Sequence, residues 1–143
     1  MRTSRMLPLA VAVVAAAAVA LRKALVITNV HGMSMAPTFR DGERLLAVRG
    51  LRRLRTGDVV LCRIPSGYSV PGAGGDALLV KRVAALPGDP EPPGPAAEEV
   101  ARISPGHVYV LGDALGHSLD SRTFGPLPQA SIVGIVVGRL PIR

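Results

Sequence analysis

The sequence predicts a mainly β domain carried behind one N-terminal membrane-spanning helix. Three observations carry that expectation. Residues 7–21 (LPLAVAVVAAAAVAL) form an unbroken apolar run with no charged or polar side chain. Beyond residue 24 the apolar residues fall into short Val-, Leu- and Ile-rich runs separated by Gly, Pro and Asp, as strands and turns do. No stretch there keeps a long 3.6-residue periodicity, and 16 Gly with 13 Pro in 143 residues fit many turns better than a helical bundle.

As a helix, the apolar run spans roughly 22 Å at about 1.5 Å per residue, short of the ~30 Å hydrocarbon core. Arg5 and the Arg22–Lys23 pair can snorkel to the two interfaces and cover part of the difference. Two other readings share the same residues. The run has the length of the apolar part of a cleaved secretory signal, with A-x-A sites in its Ala-rich stretch. Residues 1–40 are also Arg-containing and free of acid, as mitochondrial targeting segments are. The anchor is the preferred reading, which divides the chain into 1–23, an anchor with basic flanks, and 24–143, a β-rich domain. Basic residues are nearly balanced across the run, so charge alone does not orient it.

The strands are expected at residues 24–30 (ALVITNV), 44–48 (RLLAV), 58–63 (DVVLCR), 77–85 (ALLVKRVAA), 107–111 (HVYVL) and 131–140 (SIVGIVVGRL). Short strands in that number argue for a sandwich or barrel-like sheet. Two linkers interrupt them: the Gly-rich 66–76, expected to be flexible, and the Pro-rich 87–106, too long to be a usual structureless loop of a compact domain.

Seventeen Lys and Arg against ten Asp and Glu give a net charge of +7, which first suggests a polyanion. An aromatic fraction of 3% leaves few rings for base stacking, so a nucleic-acid platform is disfavoured. Residues 1–40 carry Arg2, Arg5, Arg22, Lys23 and Arg40 and no acid; the excess therefore brackets the apolar run, where anionic lipid is the natural counterpart. The single Cys62 excludes an internal disulfide framework and a Cys-rich zinc site, and reads as a small core residue. His31, His107 and His117 are scattered and read as turn or surface residues.

Ser34 follows a strand in HGMSMAPTF, between backbone-constraining Gly32 and Pro37. Taken alone it is a turn serine capping an amide. Of the basic residues only Lys23 and Lys81 are lysine, and Lys81 lies inside an apolar strand beside Arg82. On its own Lys81 reads as an edge-strand residue with its ammonium in solvent. A lysine desolvated by apolar neighbours can nevertheless lose its proton near neutral pH, which an arginine cannot. A third cluster, GDALGHSLDSRTFGP at 112–126, packs hydroxyls, acids and an arginine into one loop, with Asp120 and Arg122 placed to pair and stiffen it.

In order, GMSMAPTF, GDVV, KRVAALPGD and GD…HSLDSRTFGP resemble the boxes of the type I signal peptidases, from the anchor to about residue 137. The small chain is similar to the Gram-positive and mitochondrial inner-membrane forms. The resemblance implies an antiparallel β-sheet rolled into a coiled barrel. It implies Ser34 as nucleophile and Lys81 as general base. Ser118 would orient the lysine, and Asp120, Arg122 and Asp113 would brace the site. Met35 and Pro37 would shape the nucleophile's turn. Gly32 has no hydroxyl, so the oxyanion would rest on backbone amides, that of Ser34 among them. Gly57–Asp58 matches a structural box, and Ala114 stands where the family usually has Asn.

The implied activity is a serine endopeptidase that removes signal peptides from exported precursors, using neither metal nor cofactor. Its partners would be those precursors and the lipid bilayer. The resemblance further implies small residues, typically Ala, at the first and third positions before the cut, with strands 24–30 and 77–85 lining an extended peptide. The Ala-, Arg-, Gly- and Pro-rich composition favours a GC-rich bacterial source. That places the protein in a plasma membrane with its domain on the extracytoplasmic side, ahead of a mitochondrial inner membrane. Three alternatives stand beside this reading. They are a maturation protease dedicated to one precursor, such as a nickel-type superoxide dismutase; a self-cleaving repressor, disfavoured by the apolar segment in place of a DNA-binding domain; and an inactive membrane-tethered binding domain.

Overall fold

The computed structural model describes residues 6–68, 78–93 and 101–141. Helix α1, Met6–Ala24, has 19 residues, about 28 Å at 1.5 Å per residue and close to the ~30 Å hydrocarbon core. It outruns the apolar segment because Arg22 and Lys23 continue it through the last turn, where cations complement the helix dipole. Its Leu7–Ala24 portion has mean hydropathy 1.8 and none of it is buried against the rest of the chain. By length and composition it can cross a membrane.

No linker separates helix from sheet. Strand β1, Leu25–Asn29, begins at the next residue, and β2, Arg44–Val48, β3, Val59–Arg63, β4, Leu78–Ala85, and β5, His107–Leu111, follow. A four-residue helix α2, Ser121–Phe124, and a two-residue β6, Leu127–Pro128, precede the last strand, β7, Ile132–Leu140. All pairings are antiparallel, in the order β1-β2-β7-β3-β4-β5-β6. Register shifts at Leu46/Ala47, Leu61/Cys62 and Val83/Ala85 add local twist and curl the sheet into a half-barrel. Its main core holds Val60, Cys62, Val83, Val108, Val110, Leu127 and Ile135. A second cluster, Val30, Met35, Phe39 and Leu45, lies under the turn that follows β1.

The expected strands form with ends shifted by at most one residue, and the structure adds three points. The ammonium of Lys81 is not in solvent: residues 78–81 pair with β3 alone, β5 joining only from Arg82, yet Lys81 is buried. The ends of the Pro-rich 87–106 segment pair with each other. Gly88 N–H donates to Ile103 O (2.8 Å), Ile103 N–H to Asp89 O (2.9 Å) and Glu91 N–H to Ala101 O (2.7 Å). Ile103, 2% exposed, pins this excursion against Ala85 and Tyr109. Third, α2 and β6 appear where only a polar loop was expected, because neither is long enough to show a periodicity. The flexibility expected of 66–76 falls on residues 69–76, outside the described residues. Before them, Tyr68 donates its hydroxyl to Pro126 O at 3.0 Å.

Candidate active site

After Val30 the chain leaves the sheet and folds into a turn whose interior is apolar. Gly32 adopts φ +80°, the left-handed region that favours glycine, and its N–H donates to Asp41 Oδ1 at 2.7 Å. Met35 (1% exposed) and Phe39 drop into the cluster with Val30 and Leu45. Phe39 N–H closes the turn on Met35 O at 2.9 Å. Ser34 stays half-buried at the surface of this anchored turn. The Ala36–Pro37 peptide is cis and Pro37 is exposed.

Lys81 sits in β4 opposite Val60 and is 2% exposed. Its Nζ lies 3.1 Å from Ser118 Oγ. Burial pushes its pKa below the ordinary 10.5; Asp120 and Cys62 pull it partly back up, while Arg122 pushes it further down. Beneath it, burial pushes the Cys62 thiol up to about 12, so Cys62 stays a neutral core residue.

One residue beyond the Arg82↔Leu111 pair, the register sets Gly112 opposite Lys81. Gly112 is buried between the two serines. A Cβ there would lie 2.0 Å from Ser118 Oγ and 2.5 Å from Ser34 O. The next turn closes the arrangement, as Ala114 N–H donates to Ser34 O at 3.0 Å. The Ser34 turn, the Lys81 strand and the Ser118 loop therefore meet at one glycine.

Two carboxylates fix that meeting point. Asp120 is fully buried and accepts from Gly112 N–H (2.9 Å), Arg122 N–H (3.2 Å), Arg122 Nε (2.9 Å) and Arg122 Nη2 (2.7 Å). It also caps α2. Burial alone would raise its pKa, but Arg122 and the Gly112 amide hold it below the ordinary 3.8. Asp113 accepts from Arg82 Nε (2.8 Å), Arg82 Nη2 (2.7 Å) and Thr38 Oγ1 (2.6 Å). The Arg82 bonds hold its pKa down despite partial burial. Arg82 Nη1 reaches Gly57 O at 2.8 Å, which joins the Gly57–Asp58 turn to the same frame.

Residues 3–90 and 94–140 match the family model described as signal peptidase, peptidase S26. The chain belongs to that family. It is 33% identical over 115 residues to mitochondrial inner membrane protease subunit 1 of Schizosaccharomyces pombe, covering 76% of this chain and 69% of the relative. It is 36% identical over 116 residues to mitochondrial ATP-independent inner membrane protease subunit 1a of Arabidopsis thaliana, covering 75% and 65%. With mitochondrial inner membrane protease subunit 2 of Saccharomyces cerevisiae it shares 29% over 119 residues, covering 76% and 63%. The aligned stretch thus amounts to about two thirds of the relatives' own lengths.

Within this S26 peptidase, the residues singled out in the sequence divide by position. Ser34, Lys81, Ser118, Asp113, Asp120 and Arg122 come together around Gly112. Met35 anchors the turn from below and Pro37 lies on its outer side. Gly32 is tied to Asp41 through its amide, which shapes the turn. Ala114, where the family usually has Asn, donates its main-chain N–H to Ser34 O. His31 and His117 are exposed, and His107 Nδ1 contacts Pro105 O at 3.1 Å, away from the cluster.

Three participants escaped the sequence reading: Thr38, Arg82 as the partner of Asp113, and Arg139. Arg139 lies 5.0 Å over the Phe39 ring, pairs with Glu43 at 3.5 Å, and donates to Thr38 O. Arg82 pairs with Leu111, and Asp113, two residues on, falls on the same face, a placement that only the sheet register gives.

Proposed function

We propose that this chain is a membrane-anchored endopeptidase that removes signal peptides from precursor proteins through a Ser34–Lys81 dyad. The observation that carries the reading is Lys81. An amine 2% exposed in an apolar strand, with a hydroxyl 3.1 Å from its nitrogen and its pKa lowered by burial, is equipped to be neutral at work. Neutral Lys81 takes the Ser34 proton as Oγ attacks the scissile carbonyl. The ammonium so formed returns that proton to the leaving amine, and an acyl-enzyme remains. Lys81 then deprotonates the water that releases the acyl group and restores Ser34. Ser118 holds the amine in place between steps, and Asp120 partly stabilises the transient ammonium through the low-dielectric interior. No other group is needed to move a proton.

The strands also support an extended substrate. Residues 78–81 pair with β3 on one side, while the β5 pairing begins only at Arg82. β1 pairs with β2 alone. Backbone groups on both edges are thereby open to strand addition by a peptide. A plasma membrane with the domain on its extracytoplasmic face remains our reading of location, from composition. The named relatives make a mitochondrial inner membrane the competing location, and fractionation of the source cells decides between them.

Full-length protein reconstituted with an A-x-A precursor tests the chemistry. Ser34→Ala and Lys81→Ala each lower cleavage at least ~10³-fold, and Lys81→Arg does the same because its guanidinium keeps its proton. In the wild type kcat rises with pH as Lys81 loses its proton. Cleavage that survives in Lys81→Arg, or a rate flat from mildly acid to mildly alkaline pH, would sink the dyad. Cleavage of one precursor among many would point to the dedicated maturation protease.

A further inference from the structure

α1 leaves the hydrocarbon with Arg22 and Lys23 in its last turn, and Ala24 follows. Ala24 O accepts from Arg49 N–H at 2.8 Å. Arg49 therefore stands one hydrogen bond from the end of the membrane helix, whatever the tilt of the domain. The headgroup region is only about 5–8 Å deep on each side of the hydrocarbon, so an arginine at that point carries its charge within it.

The strand order brings a second arginine to the same place. β2 and β3 flank β7, both antiparallel to it. Their C-terminal ends, followed by Arg49 and ended by Arg63, consequently lie together at the start of β7. The two arginines line one cleft of about 350 Å³ with Pro65, Ser131 and the first residues of β7. Both are exposed, and neither is in an ion pair among the described residues. The contrast is Arg52, a few residues on, which is already engaged by both oxygens of Asp58. Beside the cleft, Leu51 is 48% exposed.

We propose that this cleft binds the headgroup phosphate of an anionic phospholipid and so seats the domain on the bilayer beside its anchor. Two arginines line one space large enough for a phosphate, together with Ser131, at a depth where phospholipid phosphates lie. The assignment rests on α1 spanning the membrane, and not on the Ser34–Lys81 chemistry.

The test uses full-length Ser34→Ala protein, so that no cleavage enters the readout. Native mass spectrometry from detergent follows lipid adducts during titration with phosphatidylglycerol. Arg49→Gln with Arg63→Gln is expected to weaken the tightest phosphatidylglycerol adduct about 25-fold, each arginine contributing about fivefold. Arg52→Gln with Arg53→Gln should leave it within twofold, and phosphatidylcholine should not compete. Equal losses in both double variants would overturn the cleft in favour of a diffuse charge effect. Displacement of the lipid by millimolar inorganic phosphate would assign the cleft to a soluble anion instead. Flotation of the same protein with vesicles checks the anchor separately: failure to float refutes the spanning reading, whereas floating with an unaltered adduct refutes only the cleft.

Discussion

The two aspartate–arginine pairs beside the candidate site look alike in chemistry and differ in what they join. Asp120 and Arg122 are two residues apart in one loop, and the carboxylate is wholly buried. Asp113 and Arg82 are separated by 31 residues, and the carboxylate is 16% exposed. Asp113 also reaches a third segment through Thr38. The first pair fixes the shape of one loop, the one that presents Ser118. The second fixes distances between segments, from the turn of Ser34 to the strand of Lys81. Burial then decides how much stability each pair carries, and sequence separation decides what geometry is lost with it.

Removing each carboxylate separates those roles. Asp120→Ala leaves Arg122 unpaired and the Gly112 N–H without an acceptor. Breaking a buried pair in this way costs about 3–5 kcal/mol, toward the lower end because Arg122 is 30% exposed and reaches water. Asp113→Ala strips a partly solvated pair and costs about 1–2 kcal/mol. Thermal unfolding of the two reconstituted variants reads the gap directly, and equal losses would break the comparison. Acid sharpens it. Both carboxylates are held below their ordinary 3.8, so their stabilisation is complete above that value and disappears as pH falls through the folded-state pKa. Asp120→Ala should therefore flatten the acid limb of stability more than Asp113→Ala does.

Gly112→Ala asks whether the meeting point itself matters. No left-handed backbone is required there, so the expected effect is steric. The new Cβ would stand 2.0 Å from Ser118 Oγ and 2.5 Å from Ser34 O. Ser118 must leave Lys81, or the Ser34 turn must move. A displacement on the order of 1 Å costs about 10²-fold in turnover. A Gly112→Ala enzyme with wild-type kcat would show that neither contact positions the chemistry.

Much of this was legible in the sequence. The strands announced themselves as short apolar runs, and Lys81 stood out because nearly every other base is arginine. What could not be read was non-local. β7 is the last strand in the chain, yet it lies between the second and third. Nothing within SIVGIVVGRL specifies that placement, which follows from pairing with two strands far away in sequence. The burial of Lys81 is likewise non-local, whereas its local context pointed to an ammonium in solvent. Asp113 was visible as an acid in a motif. Its partners were not, because Arg82 and Thr38 come from segments that only the folded sheet brings together.

The smallest change that tests the longer-range brace is Thr38→Val. It removes the 2.6 Å bond to Asp113 and keeps nearly the same side-chain shape. Asp113 retains both Arg82 bonds, so the charge is not orphaned and the stability loss should be about 1 kcal/mol. The Ser34 turn, by contrast, loses its only side-chain bond to the lysine side of the site among the described residues. Met35 and Phe39 still hold it from below, and Arg139 from outside. If Asp113 positions Ser34, kcat falls several-fold while KM stays put, and Thr38→Ser restores it by returning the hydroxyl. If the pair only stiffens the surface, Thr38→Val and Thr38→Ser turn over alike, and the distinction between the two aspartates reduces to burial alone.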